Sequence, residues 1–177
     1  LQHAVEGVGL SFTPGRNGKM AAINRAMPQA TGEIVIFSDA NNLFAPETVR
    51  ALVLPFSNPA VGAATGAKHI VAGDGALGDS EGLYWKYESR VKQAETRLWT
   101  CTGAAGEVFA IRRSLFEPAP AAIINDDFYM AMRLVKRGYR VVYTPEARSF
   151  ERVSISAADE ATRRARIVAG RYQMMAR

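Results

Sequence analysis

Two oxygen-bearing side chains stand directly after an apolar run, where an α/β protein commonly places a ligand site. Asp39 and Asn41 follow the β-branched segment 34–37, and ligands of open α/β sheets bind at the carboxyl ends of strands. Carboxylate and amide oxygens are hard donors that divalent cations prefer. The pair could therefore help to hold a cation on a diphosphate. A plain surface turn is the alternative, because Asp and Asn are also common turn residues.

A second candidate is the acidic pair Asp126 and Asp127, which follows Asn125 at the start of a segment with helical spacing. Two neighbouring carboxylates raise each other's proton affinity, and this suits one of them to accept a proton from a hydroxyl. The helix dipole also favours acidic residues in the first turn, so a simple helix cap remains the alternative.

Basic residues form the third and fourth candidates. Arg163 and Arg166 lie in the final segment, and arginine forks match phosphate oxygens. The alternative for them is a basic helix face that rests on anionic lipid or on solvent. Lys19 follows Gly18 at a predicted loop-to-helix junction, which is a reasonable anion seat. The spacing there is not that of a P-loop.

The elements that must position these residues alternate between strand and helix patterns, which predicts an α/β domain. A Gly-rich segment over 72–82 is predicted to be a mobile loop, and Pro145 is predicted to stop the last strand. Strands are expected over 5–12, 33–37, 61–71, 107–112 and 139–144, and helices over 19–27, 46–56, 83–98, 126–138 and from about 157 to 177.

The composition of the chain limits the classes of function that are possible. The 177 residues carry a formal net charge of +5 and a single cysteine, Cys101, so an internal disulfide is impossible and a packed, inert thiol is expected. No apolar run is long enough to span a bilayer. A nucleic-acid-binding module is an alternative that only the positive charge supports, since the interleaved basic and aromatic residues of such modules are missing.

Taken in order, these segments resemble the inverting family 2 glycosyltransferases, whose members include cellulose, chitin and hyaluronan synthases. The resemblance runs from about Gly18 to the end of the chain. Asn41 stands at the second aspartate of the D-x-D motif, and Ile167 stands at the tryptophan of Q-x-x-R-W. The matching segments are 18–26 (G-K-x-x-A-x-N-x-A), 31–41 (T-G-E and D-x-D), 102–106 (glycine-rich acceptor segment), 125–127 (E-D) and 163–167 (Q-x-x-R-W).

The resemblance implies a GT-A fold, a three-layer α/β/α sandwich with a mixed, mainly parallel sheet. Residues 1–177 would form one partial domain, the acceptor-side portion, incomplete at its N-terminus. Asp127 would be the catalytic base, with Asp126 beside it. The other implied roles are nucleotide or diphosphate binding for Lys19, Asp39, Arg163 and Arg166, metal binding of Mg²⁺ or Mn²⁺ for Asp39 and Asn41, and an acceptor or sugar pocket for Gly103, Ala104, Ala105 and Gly106.

The resemblance also implies a reaction. A hexose or N-acetylhexosamine would move from a nucleotide-diphospho-sugar, with a UDP-sugar favoured, to a glycan or lipid-linked acceptor by one inverting displacement. The expected setting is polysaccharide biosynthesis by a membrane-associated parent protein at the cytoplasmic face of the bacterial membrane. The chain itself is expected to be soluble, with no nucleic-acid partner. A degenerate, non-catalytic scaffold is the alternative.

Overall fold

A computed structural model describes residues 7–15, 17–71, 76–152 and 157–175. Most of the predicted strands and helices are present along them. The elements are α1 (Gly18–Ala26), β1 (Ile34–Phe37), β2 (Leu43–Phe44), α2 (Thr48–Val53), β3 (Val61–Val71), α3 (Ala76–Leu98), β4 (Phe109–Arg112), α4 (Asp126–Lys136), β5 (Arg140–Arg152) and α5 (Ala157–Met175).

The five described strands form one mixed sheet in the order β1-β4-β3-β5-β2. Strands β3 and β5 are parallel, whereas β1–β4, β3–β4 and β2–β5 pair in the antiparallel sense. The mixed sheet confirms the α/β prediction, but the expectation of mainly parallel pairing is wrong for the described strands. The reason is that β4 inserts between β1 and β3 and runs opposite to both.

This insertion decides where the site can form. Phe37, the last residue of β1, pairs with Phe109, the first residue of β4. The chain leaving β1 and the chain entering β4 therefore meet at one edge of the sheet, although they are far apart in sequence.

The sheet buries apolar residues on both faces, which explains why β1 and β4 are apolar at nearly every position. Along β4, Phe109 and Ile111 belong to a cluster completed by residues of α1 and α4, whereas Ala110 belongs to a cluster with Leu52 of α2. The alternation follows from the two-residue period of a strand. Helices thus cover both faces, as a three-layer sandwich requires.

The last strand does not stop at Pro145, contrary to the prediction. Thr144 pairs with Gly66 and Arg148 pairs with Ala67, so residues 145–147 leave the ladder as a bulge. Proline is tolerated there because a bulged residue donates no ladder hydrogen bond. Gly66 is needed opposite the bulge, since a Cβ atom at this position would overlap the Ala147 carbonyl.

Two further predictions are wrong. Residues 7–12 form no strand and pair with none of the described strands, and the side chains of Val8, Leu10 and Phe12 are exposed. Residues 5 and 6 lie outside the described residues. Residues 76–82 belong to α3 rather than to a loop, while 72–75 lie outside the description. Extending an existing helix adds one hydrogen bond per residue, which offsets the conformational cost of Gly78 and Gly82. Among the described helices, none is both long enough and apolar enough to cross a bilayer.

Candidate active site

A cleft of about 870 Å³ opens at the sheet edge where β1 ends and β4 begins. Its walls come from the turn after β1, the loop before β4, the start of α4 and parts of α3 and α5. The structure thus brings nearly all the predicted site residues to one cavity. Those that line it are Lys19, Asp39, Asn41, Gly103, Ala104, Ala105, Gly106, Asp126, Asp127 and Arg166. The side chain of Arg163 lies outside the described residues.

Asp127 is held in the cleft by two backbone hydrogen bonds. It sits in the first turn of α4 and is partly buried. Its Oδ2 atom accepts a hydrogen bond from the Gly106 backbone N–H at 3.0 Å, and its Oδ1 atom accepts one from the Phe128 N–H at 2.7 Å. Each carboxylate oxygen keeps a second lone pair for another donor.

The environment of Asp127 shifts its protonation towards neutral pH. Burial, and after it the charge of Asp126, raise the pKa of this carboxyl to about 6, against the Phe128 amide hydrogen bond that lowers it. Above about pH 6 the side chain is therefore a carboxylate whose basicity is greater than that of an ordinary aspartate. Such a group can take a proton from a hydroxyl at physiological pH.

Lys19 links the two acidic regions of the cleft. Its Nζ atom lies 2.8 Å from Asp39 Oδ1 and 3.4 Å from Asp126 Oδ2. Burial lowers the pKa of Lys19, but the hydrogen bond to Asp39 and the charge of Asp126 outweigh this and the pKa is raised overall. The ammonium group thus sits as a fixed positive charge where an anionic ligand would enter.

Three residues beside Asn41 were not predicted from the sequence. Asn41 Nδ2 donates to Glu151 Oε1 at 2.9 Å. Lys68 forms ion pairs with Glu151 and with Glu107, the latter at 3.3 Å, and its side chain is only 3% exposed. The one available signal was a lysine inside the mainly apolar segment of β3, because a buried charge must be paired. Its partners come from other parts of the chain and gave no local signal.

The cleft offers limited but suitable donors for a divalent cation. The amide nitrogen of Asn41 is engaged with Glu151, so its Oδ1 atom remains for a cation next to the carboxylate of Asp39. No group of three or more His, Cys, Asp or Glu side chains within the described residues could hold a metal alone. Two protein oxygens therefore fit a cation that also takes oxygen atoms from a diphosphate and water.

Helix α5 closes one side of the cleft with Arg166, which is exposed. Asn125 holds this helix by donating from Nδ2 to the Ile167 carbonyl at 2.9 Å. Gly170 packs so closely on Asn125 that a Cβ atom there would overlap the amide group. Asn125 precedes α4 but makes no capping hydrogen bond with its side chain. Its amide serves the packing of α5 instead.

Cys101 takes no part in this chemistry, as the sequence predicted. The thiol is buried and donates to the Gly103 carbonyl at 3.1 Å. Burial raises its pKa to about 12, so it is a neutral thiol at physiological pH.

Solved structures with the same architecture identify the fold. A mannosyltransferase from Pyrobaculum calidifontis, PcManGT, in complex with GDP-Man and Mn²⁺ is 27% identical with a TM-score of 0.75, over 93% of this chain and 45% of that one. GalNAc-T7 with UDP, GalNAc and Mn²⁺ shares the fold with a TM-score of 0.61 and 16% identity, over 81% of this chain and 32% of that one. The fold is that of the GT-A glycosyltransferases.

Sequence comparison adds the family. The profile described as "Glycosyltransferase like family 2" matches residues 3–174, and the chain belongs to this family. An N-acetylglucosaminyltransferase of Sinorhizobium fredii (strain NBRC 101917 / NGR234) is 28% identical over 76% of this chain and 36% of that protein. An N-acetylglucosaminyltransferase of Mesorhizobium japonicum (strain LMG 29417 / CECT 9101 / MAFF 303099) is 26% identical over 76% of this chain and 35% of that protein. The chain spans about a third of the length of these relatives.

Proposed function

We propose that this protein transfers a sugar from a nucleotide-diphospho-sugar to a hydroxyl of an acceptor by a single inverting displacement, with Asp127 as the general base. The observation that carries the proposal is the state of Asp127. It is partly buried, oriented by the Gly106 amide and has a pKa of about 6, in the same cleft as Asp39 and Arg166.

In the proposed step, Asp127 accepts the proton of the acceptor hydroxyl while that oxygen forms a bond to the anomeric carbon. The bond from this carbon to the diphosphate breaks, and its electron pair leaves with the nucleoside diphosphate. Attack on the face opposite the leaving group inverts the anomeric configuration. Asp126 acts through Asp127, because its negative charge raises the proton affinity of the base.

The donor is held at the other side of the cleft. Arg166, which lines the cleft, would pair with diphosphate oxygens, and Lys19 would exchange its ion pair with Asp39 for one with a diphosphate oxygen. Asp39 and Asn41 would hold Mg²⁺ or Mn²⁺, and the cation would neutralise charge on the diphosphate. The Mn²⁺ in the structures of PcManGT and GalNAc-T7 supports this assignment.

The proposed donor sugar is an N-acetylhexosamine or a hexose, with a UDP-sugar favoured. The names of the rhizobial relatives support the first and the mannosyltransferase supports the second. The proposed acceptor is a glycan or a lipid-linked molecule. The protein is proposed to act in polysaccharide biosynthesis at the cytoplasmic face of the membrane. The acceptor pocket would use the loop of Gly103, Ala104, Ala105 and Gly106, which lines the cleft.

The test is donor turnover by the full-length protein against UDP-GlcNAc, UDP-Glc and GDP-Man, with and without Mn²⁺. Asp127→Asn should reduce kcat by about 10²–10⁴-fold, the usual contribution of a general base, and leave the Kd for UDP unchanged. Asp126→Asn is the matched control and should retain far more activity. Turnover that survives Asp127→Asn would refute the role of Asp127 as the general base. No turnover of any donor with Mn²⁺ present would favour the non-catalytic scaffold instead.

A further inference from the structure

A second cavity, of about 480 Å³, adjoins the active cleft along α3. Both cavities are lined by Lys68, Trp85, Glu88 and Lys92, so these four side chains form a shared wall. On the cleft side, Lys92 lies against Gly103, where a Cβ atom would approach Lys92 Cε to 3.0 Å. The second cavity therefore begins behind a wall that faces Gly103, in the same loop as the Gly106 amide that donates to Asp127.

The lining of this cavity, which we name the α3 cavity, has a strong excess of positive charge. Glu88 is the one acid among the described lining residues, and it is already paired with Lys92 at 2.8 Å. Lys68 and Arg148 also have acidic partners, Glu151 and Glu47 respectively. The cations that line the cavity are Lys68, Lys86, Arg90, Lys92 and Arg148.

Lys86 and Arg90 differ from the other cations. Both are exposed, and within the described part of the chain neither forms an ion pair. They lie one turn apart on α3, a spacing at which like charges repel and weaken a helix. An anion bound between them would remove this repulsion and would receive charge-assisted hydrogen bonds from both.

The remaining lining suits a sugar. The ring of Trp85 lies in the shared wall, and Tyr143 and Pro145 line the α3 cavity. The Tyr143 hydroxyl donates to Ser89 Oγ at 2.8 Å, which fixes the ring. Aromatic side chains combined with a few polar groups are typical of small-molecule sites.

We propose that the α3 cavity is the subsite for an anionic group of the acceptor. Lys86 and Arg90 hold this oxyanion, while the acceptor hydroxyl reaches Asp127 across the shared wall that contains Trp85. The inference rests on the proposed function and deepens it by assigning the acceptor class. Both a sugar phosphate, through its phosphate group, and a uronic acid, through its carboxylate, present such an oxyanion.

The test measures binding by fluorescence of Trp85. The chain has two tryptophans, so a Trp99→Phe background leaves Trp85 as the reporter. Glucose 6-phosphate, glucuronate and neutral glucose are titrated with and without saturating UDP and Mn²⁺. The variants are Lys86→Ala combined with Arg90→Ala, and the matched control Arg97→Ala, an exposed arginine of α3 that lines neither cavity.

We expect the double variant to weaken binding of the preferred oxyanion by about tenfold or more, as the loss of a charge-assisted hydrogen bond predicts. The Arg97→Ala control and the Kd for UDP should not change. Whichever of glucose 6-phosphate and glucuronate binds more tightly then identifies the acceptor as a sugar phosphate or a uronic acid. Equal binding of neutral glucose, displacement of the oxyanion by UDP, or an unchanged affinity in the double variant would overturn the subsite. Oxyanion binding that depends on Lys86 and Arg90 in a protein that turns over no donor would support the anion site and refute the proposed function.

Discussion

The two ends of the proposed active cleft are built differently. At the base end, formed by Gly106 and Asp127, a partly buried carboxylate accepts hydrogen bonds from two backbone amides. At the donor end, formed by Lys19, Asp39 and Asn41, the Lys19 and Asp39 side chains are 46% and 45% exposed and pair with each other. One end is held by backbone and burial, the other by side chains in contact with solvent.

This difference suits two different tasks. A general base works best when its position and proton affinity are set before the substrate arrives. A site for a diphosphate instead benefits from ion pairs that a ligand can replace at little cost, since exposed ion pairs contribute little to stability. We therefore expect substitutions at the base end to change the rate of the reaction, and those at the donor end to change ligand affinity.

Gly106→Ala perturbs the base end without changing the proposed base itself. A Cβ atom at this position would lie 3.1 Å from Asp127 Oδ2 and 3.2 Å from Asp127 Cβ, so the carboxylate must shift. A displacement of this kind should reduce kcat by about 10–10²-fold, measured as donor turnover. Gly9→Ala is the control, because nothing lies within 4 Å of its Cβ position. A normal kcat in Gly106→Ala would show that the amide contact does not position the base.

Gly170→Ala tests how α5 keeps Arg166 in the cleft. The new methyl group would overlap the Asn125 side chain, so either α5 moves away from the start of α4 or Asn125 loses its hydrogen bond to Ile167. Overpacking of this kind should reduce the free energy of unfolding by about 1–3 kcal/mol, measured by urea denaturation, and raise the KM for the donor. Ala169→Ser, at the neighbouring exposed position, should leave both unchanged. A stable variant with a normal KM would contradict the packing argument.

The pH dependence sharpens the comparison further. The wild-type kcat/KM should fall as the pH drops through about 6, because Asp127 becomes protonated and can no longer accept a proton. Asp126→Asn removes a neighbouring negative charge that raises the pKa of Asp127, so the acidic limb of the profile should move to lower pH. The profile of kcat/KM against pH measures both effects. A limb that stays in place would mean that the titrating group is not Asp127.

The smallest effect on folding is expected at the donor end. Lys19→Met removes two ion pairs that involve an exposed lysine, so the free energy of unfolding should change by less than about 0.5 kcal/mol. The affinity for UDP, measured by calorimetry, should nevertheless decrease. Lys136→Met, an exposed basic residue at the end of α4 outside the cleft, controls for loss of charge. A large loss of stability in Lys19→Met would show that the donor end is as rigid as the base end.

Several elements could be read from the sequence because their signals are local. The apolar run 61–71 coincides with β3, and the acidic start of α4 at Asp126 follows from the helix dipole. The path of β5 past Pro145 could not be predicted, because the bulge depends on a close approach between Gly66 and Ala147 of another strand. The ion pairs of Lys68 were missed for the same reason.

The sequence by itself determined which residues could do chemistry and which local elements carry them: a carboxylate after β1, an acid pair at a helix start and arginines on a final helix. Only the tertiary structure decided what those residues became. The antiparallel entry of β4 between β1 and β3 brings Gly106 to Asp127, and the resulting burial raises the pKa of that carboxyl to about 6. The proton affinity of a side chain depends on its hydrogen-bond partners, on nearby charges and on its exposure to solvent. These are set by contacts between segments that are distant in the sequence.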